Sequence, residues 1–173
     1  KPFETEARYQ QLLETFTESP LRSIWYWELV RRAAHQKQLP RINNLLLASK
    51  KETQDEKQKQ AILWHQGEYN LEESPQASLN YFLNYVQKYP KDALVRTTIY
   101  KIRDKLSHLL TDSSHRSLGQ IAYDQWMYQT AFAEFSSINN PTPDDIYMTG
   151  QSALKADFYP QAAVAFHKLK SSD

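Results

Sequence analysis

Two pairs of adjacent acids, Glu72-Glu73 and Asp144-Asp145, and five scattered histidines are the residues whose types first suggest chemistry. Paired carboxylates cleave a glycosidic bond when they are held a few ångströms apart and burial raises one pKa. Here each pair stands beside a proline at the start of a helical apolar pattern, Pro75 for one and Pro143 for the other. Negative charge at a helix start complements the helix dipole, so capping is the role predicted for both pairs. His108 and His115 would lie two turns apart on a continuous helix, but the intervening TDSS predicts a break. Metal sites need three or four convergent ligands, and no such spacing occurs, so neither a metal nor a cofactor is expected. The chain has no cysteine, which excludes thiol nucleophiles, thiolate zinc sites and disulfides. A Ser-His-acid triad needs no sequence proximity, but nothing local proposes one and the strand-turn-helix setting of the usual nucleophile motif is missing. No catalytic residue is assigned.

The elements that would position any site are helical. Tyr9, Leu12, Leu13 and Phe16, then Val95, Ile99, Ile102, Leu106 and Leu109, follow the helical apolar period, and no period-2 run competes. Prolines at Ser19-Pro20, Ser74-Pro75 and Pro160 suit first turns, where a missing N–H costs nothing. Ten helices are predicted, near 4–18, 21–35, 40–48, 57–69, 75–88, 92–110, 114–125, 128–138, 144–156 and 160–170. SKKETQDEK (49–57) and NNPTPDD (139–145) read as solvated connections. Only three glycines in 173 residues, with 13% aromatics, argue against glycine-loop enzymes and a turn-rich β protein. No apolar run reaches the roughly 18 to 20 residues of a membrane span, so a soluble chain is expected. The first residue is Lys rather than Met, which leaves room for a missing targeting segment, and composition leaves the compartment open.

A repeat organises the C-terminal part. Gly119, Ala122, Tyr128, Ala131 and Phe135 recur, 31 positions on, as Gly150, Ala153, Tyr159, Ala162 and Phe166. Such recurrence is the signature of stacked helical hairpins in which small residues let two helices cross closely. A weaker upstream copy aligns Pro75-Gln76-Ala77 and Tyr81 with Pro160-Gln161-Ala162 and Phe166, placing His65 at the glycine position.

Leu118-Gly119, Ala122, Tyr128, Ala131, Phe135 and Pro143 together resemble the tetratricopeptide repeat. Two features depart from it: the offset of 31 is shorter than the family's period of about 34, and the 92–110 helix is long for a repeat helix. The resemblance implies an all-α, right-handed superhelix (solenoid) of antiparallel hairpins, with residues 1–56 a divergent N-terminal helical segment. Residues 57–173 would then hold repeats at about 57–91, 92–143 and 144–173, in one continuous solenoid domain. Tyr89-Pro90 followed by Ala93 is similar to helical repeat proteins of the bacterial envelope, which implies a periplasmic or envelope location. A second resemblance, on Ile24-Trp25-Tyr26-Trp27, is to the superhelical non-catalytic domain of soluble lytic transglycosylases, whose Glu-Ser and Gly-Leu-Met-Gln signatures are missing from this chain.

By the first resemblance the chain is a non-enzymatic scaffold that binds a peptide or protein on a concave surface. Its ligand-facing residues would lie on the first helix of each hairpin: Arg116, Gln120 and Tyr123, then Tyr147 and Gln151. By the second it is the helical part of a peptidoglycan-cleaving enzyme. Charge adds one hint. Residues 86–116 carry seven bases and three acids, whereas 117–173 carry three bases and six acids, within a net charge of +1. That polarity suits a charged partner or self-association, or is simply solvated, and the acidic end argues against nucleic acid. Tyr81, Tyr85 and Tyr89 either fill gaps between hairpins or line a groove.

Overall fold

A computed structural model describes residues 2–170, and every regular element among them is helical. The α-helices are α1 (Pro2–Thr15), α2 (Arg22–His35), α3 (Leu39–Glu52), α4 (Glu56–Asn70), α5 (Pro75–Lys88), α6 (Val95–Lys101), α7 (Asp112–Asp124), α8 (Tyr128–Ser136), α9 (Pro143–Lys155) and α10 (Tyr159–Lys170). No helix is long and apolar enough to cross a membrane.

Two sequence expectations are corrected. The polar stretch 49–57 is not a loop throughout, because α3 continues to Glu52. Ser49 is fully buried, and Lys50 and Lys51 suit the negative end of a helix dipole. The break is confined to residues 53–55, and Asp55 then caps α4 by accepting from the Lys57 N–H at 2.9 Å. The single long helix over 92–110 is also wrong. Asp92 accepts from the Leu94 N–H at 2.8 Å in a tight turn that delays the helix start to Val95. Beyond Lys101 the helix widens into a π turn (Ile102–Leu106) and ends in a 3₁₀ turn (Ser107–Leu109).

Three hairpins, α2–α3, α7–α8 and α9–α10, close through one turn. Gln38 N–H donates to the Ala33 carbonyl at 3.0 Å, Met127 N–H to Ala122 at 2.9 Å, and Phe158 N–H to Ala153 at 2.8 Å. The residue before each donor is left-handed: Lys37 (φ 54°), Trp126 (φ 60°) and Asp157 (φ 62°). This is the helix-ending bond pattern that satisfies carbonyls orphaned at a helix C-terminus.

Aligned on that turn, the three hairpins share a register. Gly119 and Phe135 pack directly on each other, since a Cβ on Gly119 would lie 2.9 Å from the Phe135 ring. Gly150 and Phe166 repeat the contact at 2.7 Å. In α2–α3 the same positions hold Val30 and Leu46, which with Ala33, Ile42 and Ile62 form a buried apolar cluster. The N-terminal segment is therefore not merely helical, because α2–α3 has the hairpin geometry without the glycine.

The α4–α5 hairpin corrects the upstream alignment. Its glycine position is Gly67, not His65, and its aromatic is Phe82, not Tyr81: a Cβ on Gly67 would lie 2.4 Å from the fully buried Phe82 ring. A longer turn, closed by Ser74 N–H donating to the Asn70 carbonyl at 2.9 Å, accounts for the altered spacing. The chain divides into two compact units inside α5, after Phe82. In the second unit Tyr85 is fully buried with its hydroxyl on Asp92, and Tyr89 packs on its ring, so of the three tyrosines Tyr85 fills the interior while Tyr81 and Tyr89 are half-buried.

Candidate partner-binding surface

The five residues expected to face a ligand lie on α7 and α9, and of these, among the described residues, only Arg116 bonds from one helix to the other. Arg116 acts as a strut. Its Nε lies 2.9 Å from both carboxylate oxygens of Asp145, and an NH2 proton goes to the Asn140 carbonyl at 3.2 Å. Asp145 is 4% exposed and completes a capping box, with Thr142 Oγ1 accepting from the Asp145 N–H and the Asp145 carboxylate accepting from the Thr142 N–H. Burial pushes the Asp145 carboxyl up, but the Thr142 N–H and Arg116 outweigh it and hold the group below its ordinary value. The capping role predicted for Asp145 is thus present, and Arg116 fixes the start of α9 against α7.

The other four form two stripes, in which Gln120 and Gln151 hold equivalent positions of their hairpins. On α7, Gln120 is exposed and donates to Asp124 at 2.9 Å, while the half-buried Tyr123 packs edge-on against Tyr128 at 5.3 Å. On α9, Tyr147 is 48% exposed with its ring 6.2 Å from Phe166, and Gln151 donates to the Tyr147 hydroxyl at 3.1 Å. Leu154, 42% exposed, extends the α9 stripe one turn further. Tyr147 and Gln151 are therefore brought together, and Arg116 reaches α9. No hydrogen bond joins Gln120 or Tyr123 to α9 among the described residues. The surface offers aromatic faces, amide groups and aliphatic area.

A buried polar cluster escaped sequence reasoning. Glu134 on α8 is 3% exposed and uses both carboxylate oxygens: Oε1 lies 3.0 Å from Arg103 Nε, and Oε2 lies 2.8 Å from His115 Nδ1. Arg103 sits on the π turn and also donates to Thr130 Oγ1 at 3.2 Å. Beside the cluster is a pocket of about 430 Å³ lined by Tyr100, Ser107 and Ser137 as well as these charges. A carboxylate-held imidazole is two-thirds of a hydrolytic triad. These bonds brace α7, α8 and the π turn against one another, and among the described residues no hydroxyl hydrogen-bonds to His115. The available signal was Glu134 itself, the one charged residue in α8 (YQTAFAEFS).

Among the described residues no three His, Asp or Glu side chains converge where a metal could bind. His65 is enclosed by the rings of Trp27 at 5.1 Å, Trp64 at 5.2 Å and Tyr69 at 5.8 Å, and burial pushes its pKa down. Glu72 and Glu73 are exposed in the turn before α5. No protein-family model matches the chain, and no curated protein sequence matches it.

Proposed function

We propose that the chain is a non-enzymatic, tetratricopeptide-like scaffold whose hairpins are units of a right-handed solenoid, and that it binds a peptide or protein partner on the first helices of those hairpins. The observation that carries this reading is the α9 stripe, where Tyr147 and Leu154 stay about half exposed at the positions where α7 has Arg116 and Tyr123. Exposed aromatic and aliphatic groups in line on a helix braced at its N-terminus are the usual makings of a binding face. The repeated turn and the Gly-on-Phe crossings support the scaffold class.

A photo-crosslinking residue placed at position 147 tests it. The scaffold reading predicts crosslinks to a discrete partner that Gln151→Glu weakens and a crosslinker at the exposed position 136 does not form. A chain that instead releases fragments from purified peptidoglycan would overturn the non-enzymatic reading, and crosslinks no different from those at position 136 would remove the site.

A further inference from the structure

The turn between α7 and α8 carries a residue that neither its conformation nor its packing requires. Trp126 is left-handed (φ 60°) and 77% exposed, the most exposed large apolar side chain among the described residues. A left-handed conformation is unfavourable for any residue with a Cβ, and Asn or Asp offsets part of that cost through a local hydrogen bond. The sister turns provide the control. They hold the same backbone bonds with Lys37 and Asp157, and Asp157 accepts from the Tyr159 hydroxyl at 2.8 Å. Indole has no acceptor to offer here, and the ring gains little burial. Trp126 therefore bears the cost of the left-handed turn while most of its ring lies in water, which suits a contact made outside the chain.

Trp126 is not isolated. It lines an open cleft of about 370 Å³ together with Tyr100, Arg96 and Lys155. Tyr100 is 56% exposed, so two aromatic faces meet solvent in one depression. Arg96 is held beside the turn by donating from NH2 to the Gln125 carbonyl at 2.6 Å, and its side chain is exposed. Lys155 is exposed and makes no ion pair among the described residues. The cleft's one acid, Asp157, accepts from the Tyr159 hydroxyl at 2.8 Å, and the two cations outnumber it. Trp, Tyr and Arg are the residues over-represented at binding hot spots, and the two cations select the sign of the ligand.

We infer that this cleft is a second recognition site, separate from the α7 and α9 stripes, that takes an acidic peptide segment: a planar or apolar side chain stacks on Trp126 while a neighbouring carboxylate meets Arg96 and Lys155. Single-stranded nucleic acid would also stack on these rings, but it needs a sustained basic track. The chain beyond residue 116 is net acidic. A sugar platform would not call for two cations.

Fluorescence anisotropy with a panel of labelled dodecapeptides, in which Asp or Glu flanks Phe, Tyr, Pro or Leu, tests the assignment. Their Asn/Gln counterparts, oligouridylate and chitotriose serve as comparison ligands. Trp126→Gly suits the left-handed turn and so keeps the fold, and it should weaken acidic-peptide binding by about tenfold or more. Lys155→Glu should weaken it severalfold, whereas Tyr147→Ala should leave it unchanged, which separates this site from the scaffold face. Absence of acidic-peptide binding, equal binding of the neutral counterparts, or indifference to Trp126→Gly overturns the proposal. So does Trp126-dependent binding of oligouridylate or chitotriose in place of peptide.

Discussion

Hairpins α2–α3 and α7–α8 close through the same left-handed turn, yet they divide the volume at their crossing in opposite ways. One places Val30 against Leu46; the other removes the side chain at Gly119 and enlarges its partner to Phe135. What is kept is the register set by the turn and the space filled between helices, since interiors close-pack whatever the residue types that fill them. The comparison also isolates what is peculiar to α7–α8. At the position of Leu45 in α3 and Ala165 in α10, α8 has the buried Glu134, and at the position of Lys37 and Asp157 it has Trp126.

Val30→Gly should break the comparison most severely. It removes three carbons from a fully buried site facing Leu46 and puts glycine inside a helix, so chemical denaturation should show a loss of about 3 kcal/mol. The mirror position already is glycine, and there Phe135 occupies the space.

Glu134→Ala should cost about 2 kcal/mol, less than a fully buried pair would, because Arg103 is 35% exposed and can turn to water. The matching Leu45→Ala should cost a similar amount through lost packing alone, with no dependence on salt. Equal salt responses of the two variants would mean that Glu134 is not acting through its charge.

Acid should separate the two units. His65, in the first, has its pKa pushed down by burial. Its stabilising share is complete above the unfolded value of about 6.5 and is lost as pH falls through the lower folded value. Asp145, in the second, is also held below its ordinary value, so its share persists until pH falls below about 4. Amide exchange followed during acid titration should therefore show α4 loosening at a higher pH than α9. Replacing His65 with Phe should remove the earlier step.

Trp126→Gly should give the smallest change and one of opposite sign, a gain of about 0.5 to 1 kcal/mol from relief of the left-handed turn. The same substitution at Lys37 should act alike, since the backbone bonds of the two turns match.

How much of this was readable beforehand depends on whether residue type or residue volume carried the information. The α7–α8 and α9–α10 hairpins were legible because both express the crossing in the same letters, glycine and phenylalanine. In α2–α3 the same crossing is written as Val30 and Leu46, so no identity match could reveal it. At α4–α5 the alignment was anchored on Pro75, but the longer turn moved the crossing to Gly67 and Phe82. Of the candidate surface, Gln120, Tyr123, Tyr147 and Gln151 were named by the tetratricopeptide resemblance, and they lie on α7 and α9. The engagement of Arg116 with Asp145 was not legible, because it depends on how α9 docks on α7. Nor was the brace at Glu134, which requires residues from three elements, or the strain at Trp126, since φ is not written in the sequence.

The exchange of volume at an unchanged register is tested most directly by a double-mutant cycle at the α7–α8 crossing. Gly119→Val should cost about 2 to 3 kcal/mol, because its side chain would meet the Phe135 ring, and Phe135→Leu alone about 1 kcal/mol. Together they reproduce the Val30 and Leu46 pair, so the double variant should be more stable than the sum of the single losses by at least about 1 kcal/mol. Strictly additive losses would contradict the shared register and leave the two hairpins alike in their turns alone.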